Sequence, residues 1–242
     1  MQYKVTVSVV SHSQGALVEQ ALASLRRFTD CKEFEFIVTK NVPEKKVEQP
    51  PDLRIIELDN LRPRGFAQNH NRAFEISRGE YFCILNPDVV FQQDVFGPLL
   101  EVLTVKPRSV VAPVVRDRAG RIQDSFRRDI TLLTLIKRRL FGWQDFDYSR
   151  VVSSCECIEP DLIAGMFLLM RRDIYSELGG LDERYWLYFE DADFGRRCRQ
   201  LGISLSVHTA VEIIHEAQRA GRRNFWYFSW HCRSMVRYLL GI

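Results

Sequence analysis

The sequence predicts an α/β fold: a mixed, mostly parallel sheet flanked by helices. Three observations carry that reading. Short apolar, β-branched runs recur through the first half of the chain, as strands buried on both faces require. Segments with apolar residues at helical spacing alternate with those runs, the order in which crossover helices join parallel strands. The length of 242 residues, 46% of them hydrophobic, suffices for one sizeable core. We read residues 1–242 as a single domain, with 1–115 and 116–242 as its two halves.

The elements follow in order. Lys4 to Val10 reads as a buried strand, and Gly15 to Phe28 as a helix with Leu17, Ala21, Leu22 and Leu25 on one face. Phe34 to Val38 and Leu53 to Leu58 are further strands, separated by a Pro- and Lys-rich loop. Phe66 to Ser77 is a helix, Tyr81 to Leu85 a strand, Asp94 to Val105 a helix and Val110 to Val114 a strand. In the less regular second half, Ile130 to Phe141 mixes leucines with Lys137, Arg138 and Arg139. An amphipathic helix touching a membrane, a helix on the core and a loop all remain open for that segment. Met166 to Met170, Ile203 to Val207 and Val211 to Ile214 read as strands, and Ala192 to Leu201 and Phe225 to Leu240 as helices.

A net charge of +3 excludes a strongly basic nucleic-acid binder, so no nucleic-acid partner is expected. Basic residues crowd the last fifth, Arg222 and Arg233 among them, which suits contact with phosphates or an anionic membrane surface. No apolar run reaches membrane-spanning length, and the opening run is too short and too β-branched for a signal peptide. The expectation is a cytoplasmic protein with a peripheral contact at the membrane. The six cysteines lack Cys-x-x-Cys spacing and read as reduced thiols, mostly buried.

In such folds ligands bind beyond the carboxyl ends of the strands. Ser11, Asn41, Asp59 and Asn86-Pro87-Asp88 follow predicted strand ends. A carboxylate in a Pro-fixed loop, such as Asp88, suits a hard divalent ion whose other positions take phosphate oxygens; a plain turn would give the same pattern. Glu190-Asp191-Ala192-Asp193 gathers three carboxylates in four positions. That is either an acidic start to a helix or a general base tuned by its neighbours, and the aromatic run Tyr185, Trp186, Tyr188, Phe189 beside it suits sugar stacking. His215 ends an apolar run, where it suits a metal or a diphosphate.

With these residues in hand, the chain resembles the family 2 glycosyltransferases with the GT-A, Rossmann-like fold, within them the rhamnosyltransferase-like group of O-antigen and cell-wall polysaccharide assembly. Val7 to Ser11, Gly65-Phe66-Ala67-Gln68-Asn69-His70-Asn71-Arg72-Ala73 and Leu85-Asn86-Pro87-Asp88 resemble the family's first strand, donor-side segment and metal motif. Gly165 to Arg172 and Gly179-Gly180-Leu181-Asp182-Glu183 resemble its acceptor-side block, Glu190 to Asp193 its base block, and His215 its late metal-binding histidine. The resemblance implies an inverting transferase with Asp191 as base and a divalent ion, Mn2+ or Mg2+, on Asp88 and His215. It implies that Ser11, Asn41, Gly65, Phe66, Asn71, Asn86, Arg222 and Arg233 bind the nucleotide-diphosphate donor. It implies acceptor contacts from Gly165, Trp186, Tyr188 and Glu190, and a polyprenyl-diphosphate-linked glycan as acceptor. The donor reading is dTDP-rhamnose, against galactofuranose, N-acetylglucosamine, glucose or mannose donors, or a binding module without turnover. Two departures stand out. Lys40-Asn41 replaces the family's Asp-Asn, and a lysine ammonium accepts no hydrogen bond from a base; Pro63-Arg64 precedes Gly65-Phe66 where the family has an Asn.

Overall fold

The computed structural model describes residues 4–48, 50–216 and 225–241. Its elements in chain order are β1 (Val5–Ser11), α1 (Gly15–Leu25), β2 (Phe34–Lys40), β3 (Arg54–Asp59), α2 (Phe66–Ile76), β4 (Tyr81–Leu85), β5 (Val89–Phe91), α3 (Phe96–Val105) and β6 (Ser109–Arg116). There follow β7 (Phe126–Arg127), α4 (Leu132–Phe141), α5 (Tyr148–Ser154), β8 (Cys157–Ile158), β9 (Leu162–Ile163), β10 (Phe167–Arg171), α6 (Arg172–Glu177), α7 (Glu190–Gln200), β11 (Ser204–His215) and α8 (Phe225–Leu240).

Nine strands form the main sheet, in the order β3-β2-β1-β4-β10-β6-β11-β5 with β8 also on β11. β1 to β4, β6 and β11 run one way, and β10, β5 and β8 run against them. The expected mixed, mostly parallel sheet is therefore the one observed. β10, from the second half of the chain, lies between β4 and β6 of the first. One buried cluster accordingly runs from Val5 to Ile213 through both halves. Every residue of β2 and β4 is buried; β4 is the unbroken apolar run expected of a strand covered on both faces, and β2 buries Glu35, Thr39 and Lys40 as well.

Some boundaries differ for identifiable reasons. α3 starts at Phe96 because Asp94 stays outside it and accepts from the Gly97 N–H at 3.1 Å. The two strands expected over 203–214 are one long strand, β11, interrupted by a register shift between His208 and Glu212. α7 starts at Glu190, so the three acids lie inside its first turn, where the helix dipole favours them. The three-residue β5 carries too short a pattern to be recognised in the sequence, yet it positions the site described next. The cysteines are free; Cys31, Cys83 and Cys198 are buried and Cys155 is exposed. Among the described residues, no helix is long and apolar enough to cross a membrane.

Candidate functional site

Asp88 and His215 are 127 positions apart, and β5 brings them together. β5 leaves the Asn86-Pro87-Asp88 turn and pairs antiparallel with the end of β11, so that Val89 faces His215. The Glu216 N–H donates to the Asp88 carbonyl at 2.9 Å. In consequence His215 Nε2 lies 3.1 Å from Asp88 Oδ1, with both side chains about nine-tenths buried. Gln123 sets the ring's orientation. Its Nε2 donates to the His215 carbonyl at 2.8 Å, which turns its Oε1 toward His215 Nδ1 at 2.9 Å. The Nδ1 atom must then carry the proton, and in the neutral ring Nε2 presents a lone pair beside Asp88.

A lone pair facing a carboxylate oxygen is stabilised by a cation between them: a proton on Nε2, which makes the two an ion pair, or a metal ion. Asp88 Oδ1 is buried and accepts no hydrogen bond among the described residues. Two ligand atoms at about 2.1 Å from an octahedral ion, at right angles, lie about 3.0 Å apart, close to the spacing found here. Histidine held through its far nitrogen by an amide oxygen is also how metal-bound imidazoles are oriented. Among the described residues no group of three or more His, Cys, Asp or Glu side chains gathers to hold a metal. Asp88 and His215 could therefore hold an ion such as Mg2+ only as a pair, with water and phosphate oxygens filling the rest of its shell.

Asp88 forms part of the wall of a cavity of about 500 Å³ at the carboxyl ends of β1, β2 and β4. The loop after β1 contributes His12 and Gln14, the end of β2 contributes Asn41, and the approach to α2 contributes Pro63, Arg64, Phe66 and Asn69. Asn86 and Pro87 follow β4, and Trp186, Leu187 and Trp230 close the far side. The Trp186 and Trp230 rings lie 5.9 Å apart and 38° from parallel. Gly65 is glycine because the chain before α7 crosses it closely. Phe66 N–H donates to the Trp186 carbonyl at 3.0 Å, and a Cβ on residue 65 would sit 2.8 Å from that oxygen.

The residues expected to bind a donor divide into three sets. Asn86 and Phe66 line the cavity, and Gly65 lets its two walls meet. Asn41 also lines it, but its amide is used in the scaffold: Oδ1 accepts from Asn60 Nδ2 at 2.9 Å and from Arg64 N–H at 2.8 Å, and Nδ2 donates to the Arg64 carbonyl at 3.0 Å. Ser11 and Asn71 are not part of the lining. Ser11 is fully buried, donates to Glu44 Oε2 at 2.8 Å and accepts from Gln14 N–H at 3.1 Å, which shapes the loop bearing Gln14. Asn71 holds the turn before residue 185. Its Oδ1 accepts from Tyr175 Oη at 2.6 Å and Leu181 N–H at 3.0 Å, and its Nδ2 donates to the Leu181 carbonyl at 2.8 Å. Asn71 therefore does not line the cavity, and its amide is engaged with the turn instead. Arg233 is exposed on α8 and does not line the cavity, although Trp230 one turn earlier does. Arg222 lies outside the described residues.

Lys40 is buried rather than turned to the cavity. Its Nζ lies 3.2 Å from Glu57 Oε2 and 3.0 Å from Asp59 Oδ1. The hydrogen bond to Asp59 raises its pKa, against the lowering effect of burial. The lysine that replaces the family's aspartate is thus neutralised across the strand, and Asn41 beside it faces the cavity.

Behind the cavity stands the acidic start of α7. Asp191 Oδ2 accepts from the Gly165 N–H at 3.2 Å and Oδ1 from its neighbour Ala192 N–H at 2.8 Å. The Phe66 ring that lines the cavity packs against Gly165, and Met166 accepts from Asn86 N–H at 2.9 Å. The segment 164–166 therefore links the Asp191 carboxylate to the wall that carries Asp88. Burial raises the Asp191 pKa, opposed by the Arg127 guanidinium and the amide donors. Burial and the Asp191 charge push Glu190 up to about 8, and its Oε2 has no hydrogen-bond partner among the described residues. Two buried carboxylates side by side in one helical turn disfavour carrying two negative charges at once.

The backbone is strained at this place. Ser13, Tyr188 and Phe189 are the described non-glycine residues with positive φ, at 61°, 69° and 68°. Ser13 lies between His12 and Gln14 of the cavity, and the consecutive pair Tyr188-Phe189 enters α7 directly before Glu190. Side chains in the left-handed region cost about 1–3 kcal/mol each and persist where surrounding structure enforces them, commonly at functional sites. Tyr188 does not line the cavity; its ring meets His231 of α8 at 5.4 Å, and Phe189 meets the same ring at 5.3 Å. Trp186 is the expected acceptor-side residue that reaches the cavity. Sequence reasoning missed Gln123, His12, Gln14, Arg64 and Trp230 as site residues. Gln123 has no local pattern around it that could have marked it.

Comparison with known proteins bears on the family and the fold. The family model described as Glycosyl transferase family 2 matches residues 6–179. N-acetylglucosaminyl-diphospho-decaprenol L-rhamnosyltransferase of Mycobacterium tuberculosis is 27% identical over 255 aligned positions, covering 96% of this chain and 83% of that protein. Rhamnosyltransferase WbbL of Escherichia coli K12 is 26% identical over 247 positions, covering 97% and 92%. Among solved structures, GalNAc-T7 with UDP, GalNAc and Mn2+ matches with a TM-score of 0.70 at 15% identity, over 92% of this chain and 45% of that one. The mannosyltransferase PcManGT of Pyrobaculum calidifontis, in complex with GDP-Man and Mn2+, matches with a TM-score of 0.67 at 17% identity, over 95% and 60%. This chain spans less than two thirds of either solved chain, and the likeness shows the fold, GT-A, as the resemblance implied.

Proposed function

This chain belongs to glycosyltransferase family 2, and from that premise we propose that it is an inverting transferase moving L-rhamnose from dTDP-rhamnose to a polyprenyl-diphosphate-linked glycan. The two curated relatives named above are rhamnosyltransferases, and one is named for a lipid-diphosphate-linked N-acetylglucosamine. Those names support both the sugar and the acceptor class. The observation that carries the chemistry is the buried Asp88–His215 pair at the wall of the cavity, with Asp191 held behind it through Gly165. The function is exercised at the cytoplasmic face of the membrane that holds the acceptor.

Asp88 and His215, oriented by Gln123, would hold Mn2+ or Mg2+. Such an ion supplies charge neutralisation for the departing nucleoside diphosphate. Phe66, Asn86 and the Trp186–Trp230 pair bound the donor and exclude water from one side of it. Asp191 takes the proton from the acceptor hydroxyl. Its two oxygens are fixed by the Gly165 and Ala192 amides, and its raised pKa makes it a better proton acceptor than an exposed carboxylate. Burial and the neighbouring Asp191 charge both disfavour ionisation of Glu190, which limits a second charge beside the base.

The test is Asp191→Asn, assayed by nucleoside-diphosphate release with Mn2+ and a lipid-linked acceptor. Transfer should fall about 10²–10⁴-fold, the usual contribution of a positioned base, with nucleotide affinity retained. Turnover equal to the parent would remove Asp191 from the reaction. Silence of the parent with every nucleotide sugar would favour a binding module.

A further inference from the structure

α4 turns its apolar side away from the protein. On a helix with 100° per residue, Leu132, Leu133, Ile136 and Leu140 fall in one stripe about 100° wide. Those side chains are 61%, 60%, 44% and 69% exposed. Phe141 and Trp143 continue the apolar surface past the helix end. Among the described residues, none from 132 to 141 joins either buried core. A ten-residue helix is marginal in water on its own. This one is closed at both ends by local bonds instead of by packing. Thr131 and Thr134 form a reciprocal capping box, and Gly142 ends the helix in the left-handed conformation with φ of 61°.

The surface continues onto α8, where Val236 and Leu240 are exposed. A groove of about 530 Å³ joins the two helices, lined by Ile130, Leu132, Val236, Leu239 and Leu240, with Asp129 and Arg196 at its polar end. Charge decides what covers this face. Residues 132–141 include Lys137, Arg138 and Arg139 and no acid. The Lys137 ammonium lies 5.7 Å from the centroid of the half-exposed Trp143 ring, an amphipathic arrangement favoured at the headgroup level of a bilayer. A second copy docked on the same face would set cationic helix against cationic helix. An anionic lipid surface complements both the charge and the apolar stripe.

We propose that the α4 face, with the end of α8, is the surface by which this protein lies on an anionic bilayer. The leucines enter the acyl boundary and Lys137 meets lipid phosphates. The proposal adds a partner surface to the transferase reading, and its test needs no turnover.

The experiment is co-sedimentation with vesicles of phosphatidylcholine alone and with phosphatidylglycerol added. The protein should bind the mixed vesicles, and binding should weaken with salt. Leu133→Asp/Leu140→Asp should weaken it roughly tenfold or more, since each change removes apolar contact and adds a repelled charge. Lys137→Glu should weaken it less and lower its salt dependence. Nucleotide affinity and melting temperature should stay at parental values in all variants, because these side chains are exposed and do not line the cavity. Failure of the parent to bind anionic vesicles overturns the proposal. So does equal binding by the double variant, or a parental dimer in sedimentation velocity that this variant dissolves without vesicle binding. Loss of nucleotide binding in the parent would instead strike the transferase reading and leave the bilayer surface standing.

Discussion

Replacing Gln123 by leucine tests whether the Asp88–His215 pair is built for a metal. The side chain makes one bond to His215 Nδ1 at 2.9 Å and one to the His215 carbonyl at 2.8 Å. Leucine makes neither, so the ring is free to turn and either nitrogen can carry the proton. Partners of this kind typically contribute 10–100-fold to metal affinity, or about 1.4–2.7 kcal/mol. The carbonyl that loses its donor also costs about 1–3 kcal/mol of stability. Mn2+ should be titrated calorimetrically in the presence of a nucleoside diphosphate, with a thermal melt beside it. Gln123→Leu should weaken Mn2+ by 10–100-fold and lower the melting temperature. Gln123→Glu still accepts from Nδ1–H, so it should keep more of the affinity than leucine does. An Mn2+ affinity within twofold of the parent, with only the melt affected, would show that Gln123 merely supports the backbone. An unchanged affinity in His215→Ala would dismiss the pair as a metal site altogether.

Further outcomes follow from the same structure. Gly65→Ala puts a Cβ 2.8 Å from the Trp186 carbonyl, a backbone atom that gives way only by moving the chain before α7. It should cost about 1–3 kcal/mol in a thermal melt and weaken nucleotide binding in the same titration; wild-type binding would mean that Trp186 does not shape the donor cavity. Asn71→Ala removes the acceptor of the fully buried Tyr175 hydroxyl and of Leu181 N–H. A stability loss of about 2–4 kcal/mol is expected, with the KM for donor unchanged in the protein that remains folded; a raised KM would return Asn71 to the donor site. His70 is fully buried, its pKa lowered to about 3 by burial, and Ser8 Oγ lies 2.8 Å from its Nδ1. The unfolded chain takes up this proton near pH 6.5 and the folded one only near pH 3. Stability should therefore fall on acidification through that window by about 1.4 kcal/mol per pH unit, a slope that His70→Gln flattens. A pH-independent melt between pH 6.5 and 4 would refute it.

The legible part of the fold is the part written in local pattern. β1, β2, β4 and β6 are buried apolar runs, and α1, α2 and α3 lie between them at helical spacing. The Asp88 turn and the acidic start of α7 were visible because their side chains are unusual for their neighbourhood. The exposed leucines of α4 show a face that periodicity could identify but not orient, since the same stripe serves a core or a bilayer. Asn71 and Ser11 lie in segments resembling a donor site, yet neighbouring polar groups claim their side chains.

By itself the sequence determined most of the longer strands and helices, and which carboxylates stand at strand and helix ends. Both follow from interactions within a few residues: side-chain alternation, helical spacing, caps and turns. The resemblance had put His215 and Asp88 on one ion; the tertiary structure alone decided how β5 brings them within 3.1 Å, that Gln123 holds the His215 ring, and that Gly165 ties Asp191 to the cavity wall. Each of these depends on strand register between segments far apart in the chain, above all the three-residue pairing of β5 with β11. A strand that short has almost no pattern of its own; its place is set by the sheet that forms around it.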